Sequence, residues 1–491
     1  METITKFSVL LIGIAGTPKD FLLSLPVLKS CIINDESITK NIAINILQYQ
    51  YIDDEADPKY IKNIINEIVK INPDLLGFSV YVWNFNIVVK LTLGIKSILP
   101  NIQILYGGPE ISINDINAGR FNPIPVDFII YGEGERPFHS FLKRLTLPNA
   151  KQEKIDRFAI KKSGKFIFEG AADSNENDLA DILQLPSPFL TGVIEPELLK
   201  KPEIRANIET QRGCIYRCAY CLYHKHYSKI RYRNPSTIVE EIEYIYKQGI
   251  SEFRIIDANF FSDKQYAGFI LSELIKKDIH MAVFFEVNPE SIDKKLADLI
   301  CQYGALSSKN KVMVGIGIQT LNQKALKSVR RPVNVCFFNR AFELLKKANA
   351  IIKTDIILGL PHETKQTYLE LIEYIVEKMR YGKNYLSLSL LRVLPGSDME
   401  KIAAKKKLVI DTIDNKHFVY STPDMPREDM LECLRLNAVA FRFLCSLDLE
   451  NRIILRDKFF QTKDQLKIPF IYILEHFKNI FSQKLKGSDS D

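Results

Sequence analysis

No apolar run in this sequence approaches the ~18 residues needed to cross a bilayer, although 46% of its 491 residues are hydrophobic. A membrane-spanning architecture is therefore not expected. The eight cysteines show no regular spacing of the kind that marks a disulfide framework. Five of them, Cys31, Cys301, Cys336, Cys433 and Cys445, stand singly in apolar or helical surroundings, where a thiol acts as a small buried hydrophobe. Such usage suits a reducing compartment, and the cytoplasm is the expected location. Lys6 and the run Val9-Leu10-Leu11-Ile12 are not followed by a small-residue cleavage site, so this stretch reads as a first strand and not as a secretory leader. The net charge of +7 is spread along the chain, with one run at Lys405-Lys406-Lys407 that reads as a solvated helix face. Basic residues without clustering or a binding module argue against nucleic acid as a partner. There are no internal repeats, Trp83 is the single tryptophan, and His139 is the only histidine before residue 200.

Against this background the stretch Cys214-Ile215-Tyr216-Arg217-Cys218-Ala219-Tyr220-Cys221 stands out. It follows a strand-like run from Ile204 to Thr210 and a break at Gly213. A loop this short can turn three thiols toward one point, and soft thiolates gathered in this way select zinc, copper or an iron-sulfur cluster. Three ligands leave one coordination position open for substrate or cofactor. His224 or His226 would instead close a Cys3His zinc site that only staples the loop.

At this length two to three compact units are expected. Residues 1–146 alternate strand-like and helix-like runs, the pattern of a Rossmann-like parallel sheet covered by helices. Strands are expected at Phe7 to Ile14, Ile42 to Ile52, Leu75 to Val82, Ile102 to Tyr106 and Phe128 to Tyr131, with helices at Pro58 to Ile71 and Asn84 to Leu99. Residues 147–202 read as a linker with a small hairpin across Ser163-Gly164. A second alternation fills residues 203–399, with strands at Arg205 to Thr210, Phe253 to Asp257, Ala282 to Val287, Val312 to Gln319, Ile351 to Leu358 and Leu386 to Val393. Six βα units of this kind make a partial barrel, whose active site lies at the carboxyl ends of its strands. Residues 400–491 look helical, with runs around Met430 to Leu444 and Ile471 to Leu485, and Gly487 to Asp491 is expected to be disordered.

Unusual residues gather at strand ends. In the first series they are Ser79, Tyr81 and Trp83, then Gly107-Gly108-Pro109-Glu110, then Gly132-Glu133-Gly134-Glu135. Glycines there let the backbone approach a flat ligand or a phosphate closely. In the second series they are Asp257, Asn259, Glu286, Gln319, Asp355 and Arg392, together with Arg330 and Arg331, which follow the fourth strand and suit a carboxylate.

The C-x3-C-x2-C loop, with Tyr220 before its last cysteine, resembles the signature of the radical S-adenosylmethionine (SAM) enzymes. The turns at Gly107 and Gly132, together with the segments around Gln319, Asp355 and Arg392, resemble the members that carry an N-terminal cobalamin-binding domain, the class B methyltransferases among them. The resemblance covers roughly residues 7 to 400. It implies that Cys214, Cys218 and Cys221 hold a 4Fe-4S cluster and that SAM chelates the open iron. Tyr220, Asp257, Asn259, Glu286, Gln319 and Arg392 would contact SAM. Ser79, Tyr81, Trp83, Gly107, Gly108, Glu110, Gly132, Glu133 and Gly134 would line the cobalamin pocket. Many cobalamin proteins supply histidine to cobalt from Asp-x-His-x-x-Gly, and His139 lies outside any such motif.

The activity implied is C-methylation of an unactivated carbon, with methylcobalamin as methyl donor and a 5'-deoxyadenosyl radical abstracting hydrogen. The substrate is a small molecule or a peptide, and electrons come from an external donor such as flavodoxin or ferredoxin. A radical rearrangement, oxidation or cyclisation is the alternative, and a corrinoid or metal sensor without catalysis is a third reading. Methylthiotransferases add three N-terminal cysteines, whereas only Cys31 lies in that part of this chain.

Overall fold

The computed structural model describes residues 6–17, 19–50, 57–146, 153–171, 181–195, 198, 204–223, 229–331, 333–379, 384–413 and 416–445. His224, His226, the second C-terminal helix expected at Ile471 to Leu485 and the tail beyond it lie outside the described residues. The chain divides into two units: residues 1–213 with 225–256, and residues 214–224 with 257–491.

In the first unit, β1 (Phe7–Ala15), β2 (Ile42–Gln50), β3 (Leu75–Ser79), β4 (Gln103–Gly107) and β5 (Phe128–Ile130) form a parallel sheet in the order β2-β1-β3-β4-β5. β1 is apolar over nearly its whole length because both of its faces are covered, as expected of a central parallel strand. Its side chains alternate between two cores. Leu10, Ile12 and Ile14 pack on one face with Ile64 and Ile68 of helix Pro58–Ile71 and Val88 and Leu91 of helix Phe85–Ile98. Val9 and Leu11 pack on the other face with Phe138, Phe141 and Leu142 of helix Glu135–Thr146. Helix Pro58–Ile71 begins as its sequence dictates: the Asp57 carboxylate accepts the Lys59 N–H, and Pro58 fills the first position, where no donor is needed.

The hairpin across Ser163-Gly164 is present, as β6 (Phe158–Lys162) and β7 (Lys165–Phe168), with positive φ at both turn residues. It does not stand apart in a linker. β6 pairs antiparallel with β5 and buries Phe158 and Ala159, which extends the sheet to seven strands. The same unit contains β8 (Ala206–Ile208), β9 (Gln211–Arg212), β10 (Arg231–Tyr232) and β11 (Glu252–Ile255). β8 pairs parallel with β11, and β9 antiparallel with β10.

The second unit carries β12 (Ala282–Val287), β13 (Val312–Gln319), β14 (Ile351–Leu358) and β15 (Asn384–Leu390), parallel and adjacent in sequence order, with helices between successive strands. With β8 and β11 these complete the six strands of the second α/β series. The C-terminal segment departs from expectation. β16 (Val409–Ile413) and β17 (Lys416–Ser421) form an antiparallel hairpin before helix Arg427–Cys445. Val409, Ile410, Thr412 and Ile413 are β-branched, and that preference outweighs the helix-forming lysines just before them. Two single cysteines also differ from expectation, since Cys301 and Cys336 are exposed on helices, and among the single cysteines whose burial is described only Cys433 is fully buried. Among the described residues, no helix is long and apolar enough to cross a membrane.

Candidate functional site

In the first unit β1 lies between β2 and β3, so the strand order reverses there and leaves a crevice beyond the carboxyl ends, the usual ligand position in open α/β sheets. Ser79 ends β3 opposite Gly107 of β4. Beyond them Val80 N–H donates to Gly107 O at 2.6 Å and Glu110 N–H to Val80 O at 3.2 Å, which pulls the two loops together. Gly108, at φ +120°, is what permits this, because a Cβ there would lie 2.7 Å from Val80 N and collide with Val80 O. Gly108→Ala is expected to cost about 1–3 kcal/mol of stability from backbone strain alone, read as a lower urea midpoint.

Tyr81 and Trp83 stack, with centroids 4.3 Å apart and planes at 18°. Trp83 Nε1 donates to Ile14 O at 3.1 Å and the buried Asn84 amide donates to the same oxygen at 3.2 Å, which ties the turn after β3 to the end of β1. Ser24 links Ser79, at 3.1 Å, with the Tyr81 hydroxyl, at 3.4 Å, and burial pushes that phenol up. Ser79, Tyr81 and Trp83 are thus brought together at the switch point.

The two acids expected at this pocket have partners within the protein. Glu110 is buried and meets Arg120 at 2.7 Å; burial pushes its carboxyl up while Arg120 pulls it down. Glu133 pairs with Arg231 and, at 3.3 Å, with Arg212. Arg212 also meets Glu135 at 2.7 Å and Glu209 through bonds of 2.9 to 3.1 Å. Burial acts to raise Glu135, but the Arg212 charge outweighs it and holds the carboxyl low. One oxygen of Glu133 and one of Glu135 are buried without a hydrogen-bond partner. These are unfilled acceptors, and the peripheral amides of a corrinoid are donors, so the residues fit that group. Gly132, at φ +73°, holds the turn that carries them.

In the second unit the backbone pins the cysteine loop. Ala219 N–H donates to Val329 O and Met399 N–H to Ala219 O, both at 2.9 Å, and Cys221 N–H closes a turn on Cys218 O at 3.1 Å. The Tyr220 ring packs against a buried cluster that includes Ala325, Leu360 and Leu391, and burial pushes its hydroxyl up. Cys218 is buried, while Cys214 and Cys221 are half-buried. Burial raises the Cys214 thiol and pushes Cys221 up to about 11, with Cys218 raising both further, while Arg331 opposes this. Cys214 and Cys221, which burial disfavours as bare thiolates, suit a ligand that brings positive charge, as a metal cluster does. Among the described residues no three Cys, His, Asp or Glu side chains converge at single-ion spacing. The fit rests on the donor set and its electrostatics.

Of the two arginines, Arg330 is exposed on Asp398. Arg331 is turned inward. Its Nη1 lies 3.7 Å from Cys218 Sγ, its Nη2 donates to Gly317 O at 2.9 Å, and its guanidinium faces the Tyr216 ring at 5.8 Å. Gln319, at φ +64°, ends β13 in the left-handed region where a bulge interrupts the pairing, an outlier of the sort found at functional sites.

Other residues singled out by sequence are more dispersed. Asp257 and Asn259 are buried; Asn259 bridges Ser291, at 3.1 Å, and the Asn288 N–H, at 3.0 Å. Glu286 pairs with Lys353, which no motif had marked. Arg392 is exposed over the Phe418 ring of the C-terminal hairpin. Arg212, Arg231 and Lys353 were missed because each is a lone base outside any motif, and Glu133, Glu135 and Glu286, which they meet, lie 67 or more positions away.

Residues 208–375 match the radical SAM superfamily, and residues 41–142 match the B12 binding domain. The chain is 22% identical over 408 residues to the cobalamin-dependent radical SAM methyltransferase TokK of Streptomyces tokunonensis, covering 79% of this chain and 57% of that protein. It thus spans less than three fifths of the length of the curated relatives it first matches. The fold is similar to that of the cobalamin-dependent radical enzyme OxsB with aqua-cobalamin and SAM bound, at TM-score 0.65 and 15% identity over 94% of this chain and 72% of that one. It is also similar to that of TsrM, a radical SAM methyltransferase from Kitasatospora setae, at TM-score 0.64 and 14% identity over 83% and 78%. The reversed strand order with glycine-edged loops thus falls in a B12-binding domain and the pinned three-cysteine loop in a radical SAM domain, a pair of domains that implies a 4Fe-4S cluster, SAM and cobalamin as cofactors.

Proposed function

We propose that the chain is a C-methyltransferase acting on an unactivated carbon of a small-molecule or peptide substrate. The observation that carries this reading is that one chain holds both a three-thiol loop beside an inward-turned arginine and a corrinoid-type crevice with unfilled buried acceptors. When bound, the cluster supplies the electron that cleaves SAM, and cobalamin carries the methyl group.

The chain's own residues hold and orient. Cys214, Cys218 and Cys221 ligate the cluster, and Arg331 offsets their negative charge. Gly107 and Gly108 keep the loops low enough for a flat macrocycle, the Tyr81–Trp83 stack walls it, and Glu133 and Glu135 accept its amides. Glu286, Gln319 and Asp355 face the polar groups of SAM. A reduced cluster with a donor of the flavodoxin or ferredoxin class suits a reducing compartment, and the cytoplasm is the location this reading proposes. The methyltransferase names of TokK and TsrM support this reading over a rearrangement or cyclisation.

The test uses protein purified and reconstituted without oxygen, with cobalamin supplied. One cluster and one corrinoid per chain are expected, with label from methyl-labelled SAM appearing on the corrinoid and 5'-deoxyadenosine forming alongside. Cleavage of SAM with no label ever reaching the corrinoid overturns methyl transfer and leaves a radical enzyme of another kind.

A further inference from the structure

The pairing of β12, β13 and β14 sets Glu286, Gly315 and Lys353 side by side in one row. Residues paired this way share a face of the sheet. Gly315 leaves that face bare between its two neighbours. A Cβ at this position would stand 2.6 Å from a Glu286 carboxylate oxygen, so the carboxylate lies directly over the glycine. From there it reaches Lys353 Nζ at 3.1 Å, and the same ammonium meets Asp355 Oδ1 at 2.8 Å, two residues further along β14. The Phe284 ring lies 5.7 Å from the ammonium. Burial acts to lower the Lys353 ammonium, yet Asp355 and Glu286 outweigh it and keep the lysine above its ordinary range, fully charged. One cation thus holds two carboxylates that would otherwise repel each other.

We propose that Lys353 is a positioning residue for SAM. It bridges Glu286 and Asp355 and fixes them in one row, so that the two carboxylates are aligned to receive the ammonium and ribose hydroxyls of SAM. The three side chains carry a net charge of −1, which suits a ligand whose sulfonium and ammonium make it cationic there. This rests on the assignment of SAM to these strands and goes beyond it by naming the residue that aligns its acceptors. Without Lys353 the two acids lose the cation that links them and swing apart, and the row is lost. Gly315 is the second part of the device, because any side chain there displaces Glu286 without altering a charge.

The experiment is anaerobic equilibrium dialysis of labelled SAM against the cluster-loaded full chain, comparing wild type with Lys353→Met, Lys353→Arg and Gly315→Ala. Iron, sulfide and melting temperature are measured alongside. Misaligning one or two charge-assisted bonds is expected to weaken SAM binding on the order of tenfold or more in Lys353→Met and Gly315→Ala, with cluster content unchanged. Lys353→Arg, which keeps the charge, is expected to restore most of the affinity. If Lys353→Met fails to load or fold, Gly315→Ala and Lys353→Arg still decide the matter. Wild-type affinity in Gly315→Ala, or in folded Lys353→Met, overturns the proposal alone. Cluster-loaded wild type that binds no SAM overturns the cofactor reading and the proposal together.

Discussion

Replacing Cys218 by alanine is expected to reduce the iron and sulfide retained after anaerobic reconstitution to near background, and SAM cleavage with it. Cys218 is the buried member of the three and the one beside Arg331. Losing a partner of a metal ligand typically costs about 10–100-fold in affinity or activity, so losing the ligand itself should cost more than a hundredfold. The fold should survive. The loop is held by backbone hydrogen bonds from Ala219 and Met399 and by the Cys221–Cys218 turn, none of which uses a thiol. A melting temperature close to wild type, together with the lost visible absorption, separates ligand loss from unfolding. Cys301→Ala and Cys336→Ala, both at exposed helix positions, serve as controls that retain the cluster. Wild-type iron and sulfide in Cys218→Ala would remove this cysteine from the ligand set. Zinc without sulfide in the wild type would sink the radical chemistry altogether.

Arg212→Leu acts on stability instead. The guanidinium is shared among Glu133, Glu135 and Glu209, and both Glu133 and Glu135 are more than nine-tenths buried. Removing one side of a buried ion cluster leaves uncompensated charge and costs about 3–5 kcal/mol. For a unit of this size that corresponds to a fall in melting temperature on the order of 10 °C. The pH dependence shows whether charge is the cause. In the wild type Glu135 is held below its ordinary range, so its contribution is present above the unfolded value of about 4.3 and fades as pH falls through the folded one. In Arg212→Leu the same carboxyl is buried without its cation, its folded pKa rises above the unfolded value, and ionising it becomes a cost at neutral pH. The difference in melting temperature between wild type and variant should therefore be largest near pH 8 and shrink toward pH 5. A difference that stays constant over that range would point to lost packing rather than stranded charge.

β1, β3, β4 and β5 of the first unit were legible because each is a largely apolar run bounded by glycine, proline or polar residues. β12, β13 and β14 match their expected bounds for the same reason. The expected strand at Leu75 to Val82 shows where this kind of reading stops. Pairing ends at Ser79, because Asn84 accepts the Tyr81 N–H at 2.7 Å and folds the next residues into a turn. The hairpin at Ser163-Gly164 could be located from its turn residues but not assigned to a sheet, since only the register of β6 on β5 shows that it completes one.

Taken by itself, the sequence determined what local spacing encodes: two α/β series, a loop bearing three cysteines, and glycines where strand ends must stay low. What it left open was which charges meet. Glu133 finds Arg231 across 98 positions, Glu286 finds Lys353 across 67, and Arg331 reaches Cys218 across 113. Ion pairing depends on separation in space and on burial, and strand order and register set both only after the chain has folded. Hence the cysteines announced themselves, whereas Lys353 reads as a stray lysine in an apolar strand until β12 is laid beside β13 and β14.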